Sequence, residues 1–307
     1  MPAANNSFRE KIEEFLDYLS IDRGSSPLTL RNYRHYLNRF DQFSKLNSID
    51  QISISVVTDF RLYLSKFSDQ QGRSLNRRTQ GYHIIALRSF LKWLIKNDYK
   101  VLSPEKLDIP KVSERQIKFL TGEQVDRLLN APNLSSLTGK RDKAILEVLF
   151  STGLRVSELT KLDIEKVDLD RREFGIIGKG GRARVVFLSS RAATWVDEYL
   201  KARQDTSKAL FVRHKGGDKI TQPDKLRLTP RSVQRMVKKY VRKIKLPIEV
   251  TPHVLRHSFA TDLLIAGADL RSVQEMLGHK NVATTQIYTH VTNKQLRDVH
   301  QRFHGKT

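Results

Sequence analysis

The sequence predicts a mainly α-helical protein in two parts, with a small antiparallel β-meander that makes the second part α+β. Three observations carry this prediction. Apolar residues recur at helical spacing through roughly the first 110 residues. Prolines then interrupt the pattern at Pro104 and Pro110. Three short β-prone runs separated by turn residues break the helices between Glu165 and Phe187.

In the first part, helices are expected at Phe8–Ile21, Ser26–Lys45, Ser55–Phe67 and Thr79–Asn97. In the second of these, Leu30, Tyr33, Leu37 and Phe40 form the apolar stripe, and Pro27 suits the first turn. Arg31, Arg34 and His35 fall on another face. In the fourth, Ile84, Leu87, Leu91 and Leu94 form the buried stripe, with Arg88, Lys92 and Lys96 at i, i+4 spacing beside it. Like charges so placed repel. A phosphate backbone would relieve the repulsion; a solvated helix face is the equal alternative. The Pro-punctuated stretch 103–118 reads as inter-domain, which sets domains at 1–110 and 119–307 joined by a linker at 111–118.

The second part opens on Thr121 and Gln124 at capping-box spacing, so a helix starts there. Lys140–Ser151 is a strongly apolar helix stopped by Gly153, and Val156–Leu162 is a short one. Val167-Asp168-Leu169, Phe174-Gly175-Ile176-Ile177 and Arg184-Val185-Val186-Phe187 are the three strands of the expected meander, with turns at Asp170–Arg172 and Gly178–Gly181. Helices resume near Ser190. Thr229-Pro230 and Thr251-Pro252 each pair an N-cap with proline at the first helical position. Asp269, Asn281 and Thr292 cap three more, and Gly267 ends the helix begun at Thr251.

Charge is the strongest compositional signal. Of 307 residues, 55 are Lys or Arg and 33 Asp or Glu, a net charge of +22. Both parts share it, at +6 for 1–112 and +16 for 113–307. An excess this large repels itself in the compact state and fits a polyanionic partner, nucleic acid above all. The absence of cysteine excludes disulfides, thiol catalysis and Cys-ligated metal. No run approaches the ~18 apolar residues of a membrane span, and Met1–Asp17 does not read as a signal peptide. A cytoplasmic protein with no membrane partner is expected.

Several residues could carry chemistry. His253 and Arg256 share a face of the helix opened by Thr251. His257 adds the i, i+4 spacing of a metal pair, but a structural histidine is the favoured reading and no metal is expected. Arg155 and Glu158 are three apart, as in many structural ion pairs. Lys179 lies between Gly178 and Gly180 at a predicted hairpin tip, where glycines let a ligand approach the backbone; from the local residues alone an ordinary solvated turn lysine is the favoured reading. The segment is no P-loop, so ATP use has no support. The helix after Thr229 is the best recognition element: Val233, Val237, Tyr240, Val241 and Ile244 face the core, and Arg231, Arg235, Lys238, Lys239, Arg242 and Lys243 crowd the rest. Nothing in the spacing singles out Tyr288.

Taken in order, Ser151-Thr152-Gly153-Leu154-Arg155-Val156-Ser157-Glu158-Leu159, Gly178-Lys179-Gly180-Gly181-Arg182, His253-Val254-Leu255-Arg256-His257, Leu277-Gly278-His279 and Ile287-Tyr288-Thr289-His290 are similar to the motifs of the tyrosine recombinases, or phage integrases. The resemblance spans roughly residues 119–303 and is closest to the two-domain Xer type. Residues 1–110 resemble the helical core-binding domain by plan more than by motif.

The resemblance implies a two-domain DNA clamp and a site-specific recombinase. Tyr288 would be the nucleophile forming a 3′-phosphotyrosyl bond, Arg155 and Arg256 would clamp the scissile phosphate, and Lys179 would protonate the leaving 5′ oxygen. His253 would assist proton transfer, His279 would hydrogen-bond a phosphate oxygen, and Glu158 would hold the site together. Candidate DNA contacts are Arg31, Arg34, Arg88, Lys92, Arg231, Arg235 and Lys239. No metal is implied, in keeping with the absence of a ligand cluster in the sequence, and no ATP or other cofactor, because the phosphotyrosine keeps the bond energy. The implied partners are duplex DNA with inverted half-sites, a homo-tetramer or paired recombinase on two synapsed sites, and an activator protein. The role implied is dimer resolution or mobile-element integration at the nucleoid. Type IB topoisomerase-like nicking shares the chemistry and is distinguished by synapsis; simple DNA or RNA binding would need no tyrosine. The stretch from His214 to Pro230, with Lys219, Lys225 and Arg227, departs from the family as a longer segment, either DNA-facing or a tolerated insertion.

Overall fold

The computed structural model describes residues 7–110, 119–178, 181, 183–214 and 223–278. The chain divides into two compact units, Met1–Arg115 and Gln116–Thr307. The expected 111–118 linker lies outside the described residues, as do Asn281 and Thr292.

The first unit is built from α1 (Phe8–Ile21), α2 (Pro27–Ser44), α3 (Ile54–Lys66) and α4 (Arg77–Lys96). Polar side chains start three of these: Ser26, Ser53 and Asn76 each accept a backbone N–H of the first turn, as orphan helix donors require. Phe8, Phe15, Phe40, Phe60 and Phe90 fill the centre, with Phe90 edge-on to Phe8 and Phe15 at 5.6 and 5.5 Å. The Pro-rich stretch after α4 corrects one expectation. Residues 103–110 do not begin a linker but belong to this unit. Pro104–Lys106 forms a 3₁₀ turn, and Pro104 and Leu107 are buried. Leu107 supplies apolar surface to the aromatic core, and Arg61 donates to the Asp108 carbonyl.

The second unit is laid around α6 (Leu137–Thr152), after α5 (Gly122–Leu129), which Thr121 and Gln124 begin with a capping box. α6 is buried on nearly every side, so its charged residues all find partners. Arg141 pairs with Asp142, Tyr240 donates to Asp142 at 2.9 Å, and Lys143 meets Glu147 at 2.6 Å. α7 (Val156–Leu159), β1 (Glu173–Ile177), β2 (Ala183–Phe187) and α8 (Ser190–Ala202) follow. Then come α9 (Pro230–Lys243), α10 (Pro252–Ile265) and α11 (Leu270–Leu277), capped by Thr229, Thr251 and Asp269. Among the described residues, no helix is long and apolar enough to cross a membrane.

The sheet is a two-stranded antiparallel hairpin, not the expected three-stranded meander. Glu173 pairs with Phe187 and Ile177 with Ala183. Val167–Leu169 does not extend into a strand because local hydrogen bonds capture it. Asp168 accepts the Arg171 N–H at 2.8 Å and exchanges backbone bonds with Glu173 alone, closing a tight turn with Arg172 left-handed. The chain just before it is occupied elsewhere: Ile164 donates to the Lys208 carbonyl at 2.8 Å.

In the first unit, His83 yields a test of pH dependence. It is 1% exposed on α4; its Nδ1 lies 2.8 Å from the Thr79 carbonyl and its Nε2 3.4 Å from Arg39 Nη1. Nδ1 therefore donates and Nε2 accepts, the neutral tautomer. Burial first, with the charges of Arg39 and His35, lowers its pKa from 6.5 to about 4 despite the Thr79 bond. The unfolded chain gains this proton near pH 6.5 and the folded chain only near 4. Stability therefore drops as the pH is lowered from 6.5 towards 4, by about 1.4 kcal/mol per unit from this residue. Urea melts followed by Trp93 fluorescence in a Trp195→Phe background should show this slope, and His83→Gln should flatten it.

Candidate active site

The site is assembled at two left-handed turns. α6 ends at Gly153, whose φ is +59°. A Cβ there would sit 2.5 Å from Phe259 Cδ1, so only glycine permits the turn and the close contact with α10. The turn puts Arg155 at the N-cap of α7. Glu158, one turn on, accepts the Arg155 N–H at 2.9 Å and its Nη1 at 2.8 Å. The carboxylate thus caps the helix and holds the guanidinium in one arrangement.

The second turn ends α11 at Gly278, with φ +63°. The last carbonyls of a helix have no partner inside it and carry the negative end of its dipole. Here three consecutive ones each receive an arginine. Arg184 Nε donates to the Met276 carbonyl at 3.0 Å, Arg256 Nη2 to that of Leu277 at 2.5 Å, and Arg155 Nη2 to that of Gly278 at 3.4 Å. Arg256 also bonds the Gly153 carbonyl at 2.7 Å. Arg184 forks onto both oxygens of Glu158, at 3.3 and 2.9 Å. The arginines differ in exposure: Arg256 is 4% exposed, and the side chains of Arg184 and Arg155 are 11% and 27% exposed.

Burial would raise the Glu158 pKa, but hydrogen bonds from Arg184 and Arg155 outweigh it and hold the carboxyl below its ordinary value. The group therefore carries three positive charges against one negative, a net of +2 at neutral pH. His253 is exposed on α10. Crowding by the surrounding protein, then the charges of Arg256 and Arg155, lower its pKa, and His257 is lowered by burial, His253 and Arg256. Both rings are neutral at pH 7. Among the described residues no group of three or more His, Asp or Glu could hold a metal ion.

The structure thus brings Arg155, Glu158, His253 and Arg256 together. Lys179, His279 and Tyr288 lie outside the described residues, although Gly178 and Gly278, the neighbours of Lys179 and His279, do not. The sequence reading missed Arg184. Its signal was strand alternation, which places it on the same face as buried Val186.

The candidate DNA contacts separate into two kinds. Arg231, Arg235 and Lys239 are exposed on α9, and none is in an ion pair with a described residue. Arg31 is exposed, but Arg34 is forked onto Glu13. Arg88 is half-buried, and Lys92 lies 3.7 Å from Glu105, whose pKa Ser103, its own backbone and the charges of Lys92 and Arg88 lower. Glu105 therefore relieves part of the repulsion along α4. Arg227 points inward, to Asp163 at 2.5 Å and the carbonyls of Thr160 and Leu162.

Comparison with known proteins places the chain in a family. The description "Phage integrase family" matches residues 118–295, and "Phage integrase, N-terminal SAM-like domain" matches 12–98. Tyrosine recombinase XerC of Oceanobacillus iheyensis is 35% identical over 98% of both chains. Tyrosine recombinase XerD of Staphylococcus epidermidis is 34% identical over 96% of this chain and 98% of its own. The crystal structure of the XerH site-specific recombinase bound to palindromic difH, a post-cleavage complex, superposes with a TM-score of 0.68 at 24% identity, covering 94% of this chain and 83% of that one. A basic, mainly helical protein with arginines gathered at the end of α11 is the class that fold and site define. The chain belongs to the phage integrase family, as a tyrosine recombinase of the Xer type. It is a site-specific recombinase, an enzyme that cleaves and rejoins DNA.

Glu158→Gln tests the charge balance. Removing one charge from a buried ion pair costs about 3–5 kcal/mol, and the low end is expected because glutamine keeps an acceptor oxygen. Thermal unfolding at pH 7 should show the loss. Because the folded pKa of Glu158 lies below the ordinary 4.5, its stabilisation is full above that value and fades as pH falls below it. The two proteins should therefore converge in acid.

Proposed function

We propose that Tyr288 attacks the scissile phosphorus of duplex DNA through its hydroxyl oxygen. The bond to the 5′ oxygen breaks, a 3′-phosphotyrosyl bond forms, and the 5′ oxygen departs with a proton from Lys179. His253 accepts the tyrosine proton. Arg155, Arg256 and His279 bind the non-bridging oxygens, and Glu158 fixes Arg155. Attack by the freed 5′-hydroxyl of a partner strand reverses the step and restores Tyr288, so no ATP or metal enters the balance.

The supporting observation is the convergence of Arg155 and Arg256 on the end of α11, with His253 close enough to feel both charges. Phosphoryl transfer depends chiefly on positioning and charge stabilisation, and guanidinium forks match phosphate oxygens. A tyrosine of pKa ~10 is only about 0.1% ionised at pH 7, so it needs a base. The lowered pKa of His253 keeps its ring able to serve.

In this reading a core-binding domain at 1–110 and a catalytic domain at 119–307, joined at 111–118, close on the duplex as a clamp. The basic face of α9, with Arg231, Arg235 and Lys239, lies on the phosphate backbone; Arg31, Arg34, Arg88 and Lys92 serve the first domain. The exposed α9 residues support this more than the paired Arg34 and Lys92 do. The assembly is a synapse of two sites with inverted half-sites, filled by four copies or by this chain and a second recombinase under an activator. Its setting is the cytoplasm, at the nucleoid, and its task dimer resolution or mobile-element integration. Sedimentation of synapses formed by this chain alone decides between the two stoichiometries.

The deciding experiment begins with footprinting on the source genome to define the site. Tyr288→Phe should bind that site normally and form no covalent adduct in denaturing gels. Lys179→Ala should lose cleavage by roughly 10²–10⁴-fold, the range of general acid catalysis. A 5′-bridging phosphorothiolate leaves without a proton, so it should restore cleavage by Lys179→Ala and not by Tyr288→Phe. An adduct with Tyr288→Phe, or no sulfur rescue, removes the respective role. In pH profiles of single-turnover cleavage, the acid limb should lie below 6.5, because His253 gains its proton only below that value.

A further inference from the structure

We propose that Arg184 is a positioning residue of the recombination reaction: it locks Glu158, and through it Arg155, to the end of α11. The inference rests on the reading of Arg155 as a phosphate contact and extends it to a residue that the family motifs quoted above do not include.

The geometry carries it in three ways. Each nitrogen of the Arg184 guanidinium already has a protein acceptor: Nε on the Met276 carbonyl, Nη1 and Nη2 on the two oxygens of Glu158. Its side chain is 11% exposed, less than half the exposure of Arg155. It is built to hold protein groups rather than to meet DNA. Glu158 in turn has one oxygen on Arg155 Nη1 and the other on the Arg155 backbone N–H. A carboxylate held by two arginines and a backbone N–H cannot rotate without breaking several charge-assisted bonds. Finally, Arg184 packs against the turn that ends α11: a Cβ on Gly278 would lie 3.0 Å from its Nη1. Strand β2, helix α7 and the α11 terminus are therefore joined through one side chain.

The test uses the full chain and a nicked duplex of the footprinted site, comparing Arg184→Ala, Arg184→Lys, Arg155→Ala and Arg184→Ala/Arg155→Ala in single-turnover cleavage. DNA affinity and melting temperature are measured in parallel. Arg184→Ala should bind DNA as wild type does and cleave about 100-fold more slowly, the cost of a misplaced reacting group. Arg184→Lys keeps the charge and the fold but cannot fork onto Glu158 while bonding Met276, so it should stay well below wild type. Because Arg184 acts through Arg155, the double variant should be no slower than Arg155→Ala alone. The 5′-phosphorothiolate should not rescue Arg184→Ala.

Normal cleavage by Arg184→Lys, multiplying effects in the double variant, or sulfur rescue, which would route the effect through Lys179, each overturns the proposal. Normal cleavage by Arg155→Ala overturns instead the assignment of Arg155 on which it rests. Should Arg184→Ala fail to fold, Arg184→Lys and its double variant with Arg155→Ala carry the same cycle.

Discussion

Three guanidiniums on three successive carbonyls at the end of one short helix hold this catalytic unit together. The interaction is unusual in its direction of need. A helix C-terminus has acceptors without donors and a partial negative charge, while arginine has donors, a permanent charge and no acceptor. Each satisfies the other without a carboxylate for every cation. Glu158 is the carboxylate that braces both Arg155 and Arg184, so two of the three guanidiniums share one acid. The constraint reaches outward: α11 must end at Met276–Gly278, and α6 must stop at Gly153 where Arg256 can reach its carbonyl. α10 must also pack closely against that turn, which Phe259 enforces.

The same logic separates the basic surfaces. The positive stripe of α4 is partly spent within the protein, since Glu105 on the following 3₁₀ turn lies against Lys92. Arg34 is likewise spent on Glu13. α9 differs: its apolar side is buried through Val233, Val237, Tyr240 and Val241, and Arg231, Arg235 and Lys239 have no described acid to meet. Net charge counts both kinds alike, yet only unpaired cations release counterions from DNA. Among the described residues, the cations of α9 are thus left outside the ion pairs that engage Arg34 and Lys92.

Much of this was legible in the sequence because it is encoded locally. N-caps at Thr121, Thr229, Thr251 and Asp269 lie within a turn of the helices they start, and the stop at Gly153 is a single-residue property. Arg155 and Glu158 are three apart, so their meeting needed only a helix. What failed was either a competition between local options or a long-range contact. Val167–Leu169 has strand-forming residues, but the Asp168 side chain offered the backbone a turn instead. Leu107 looked like linker because prolines flank it, although its apolar side chain had an aromatic core to enter. Arg184 was invisible for another reason: its acceptors lie 26 and 92 residues away, and strand alternation says only that it faces inward, not what lies beneath. Tyr288 is one tyrosine among nine, and only the resemblance to a family distinguishes it.

The graded exposure of the three arginines suggests an order of engagement. Arg184 has a protein acceptor at each guanidinium nitrogen and Arg256 is nearly buried, so both are held by protein groups before DNA arrives. Arg155 is the adjustable one. Its Nη1 is held by Glu158 at 2.8 Å, but its Nη2 reaches the Gly278 carbonyl only at 3.4 Å, a long contact with a neutral acceptor. A phosphate oxygen is charged and forms the shorter, stronger bond, so exchanging one for the other is downhill. The protein thus presents the guanidinium already oriented at one nitrogen and loosely kept at the other. In the proposed reaction that loose nitrogen would take the scissile phosphate, and its departure from Gly278 would make the α11 terminus the part of the site that senses bound DNA.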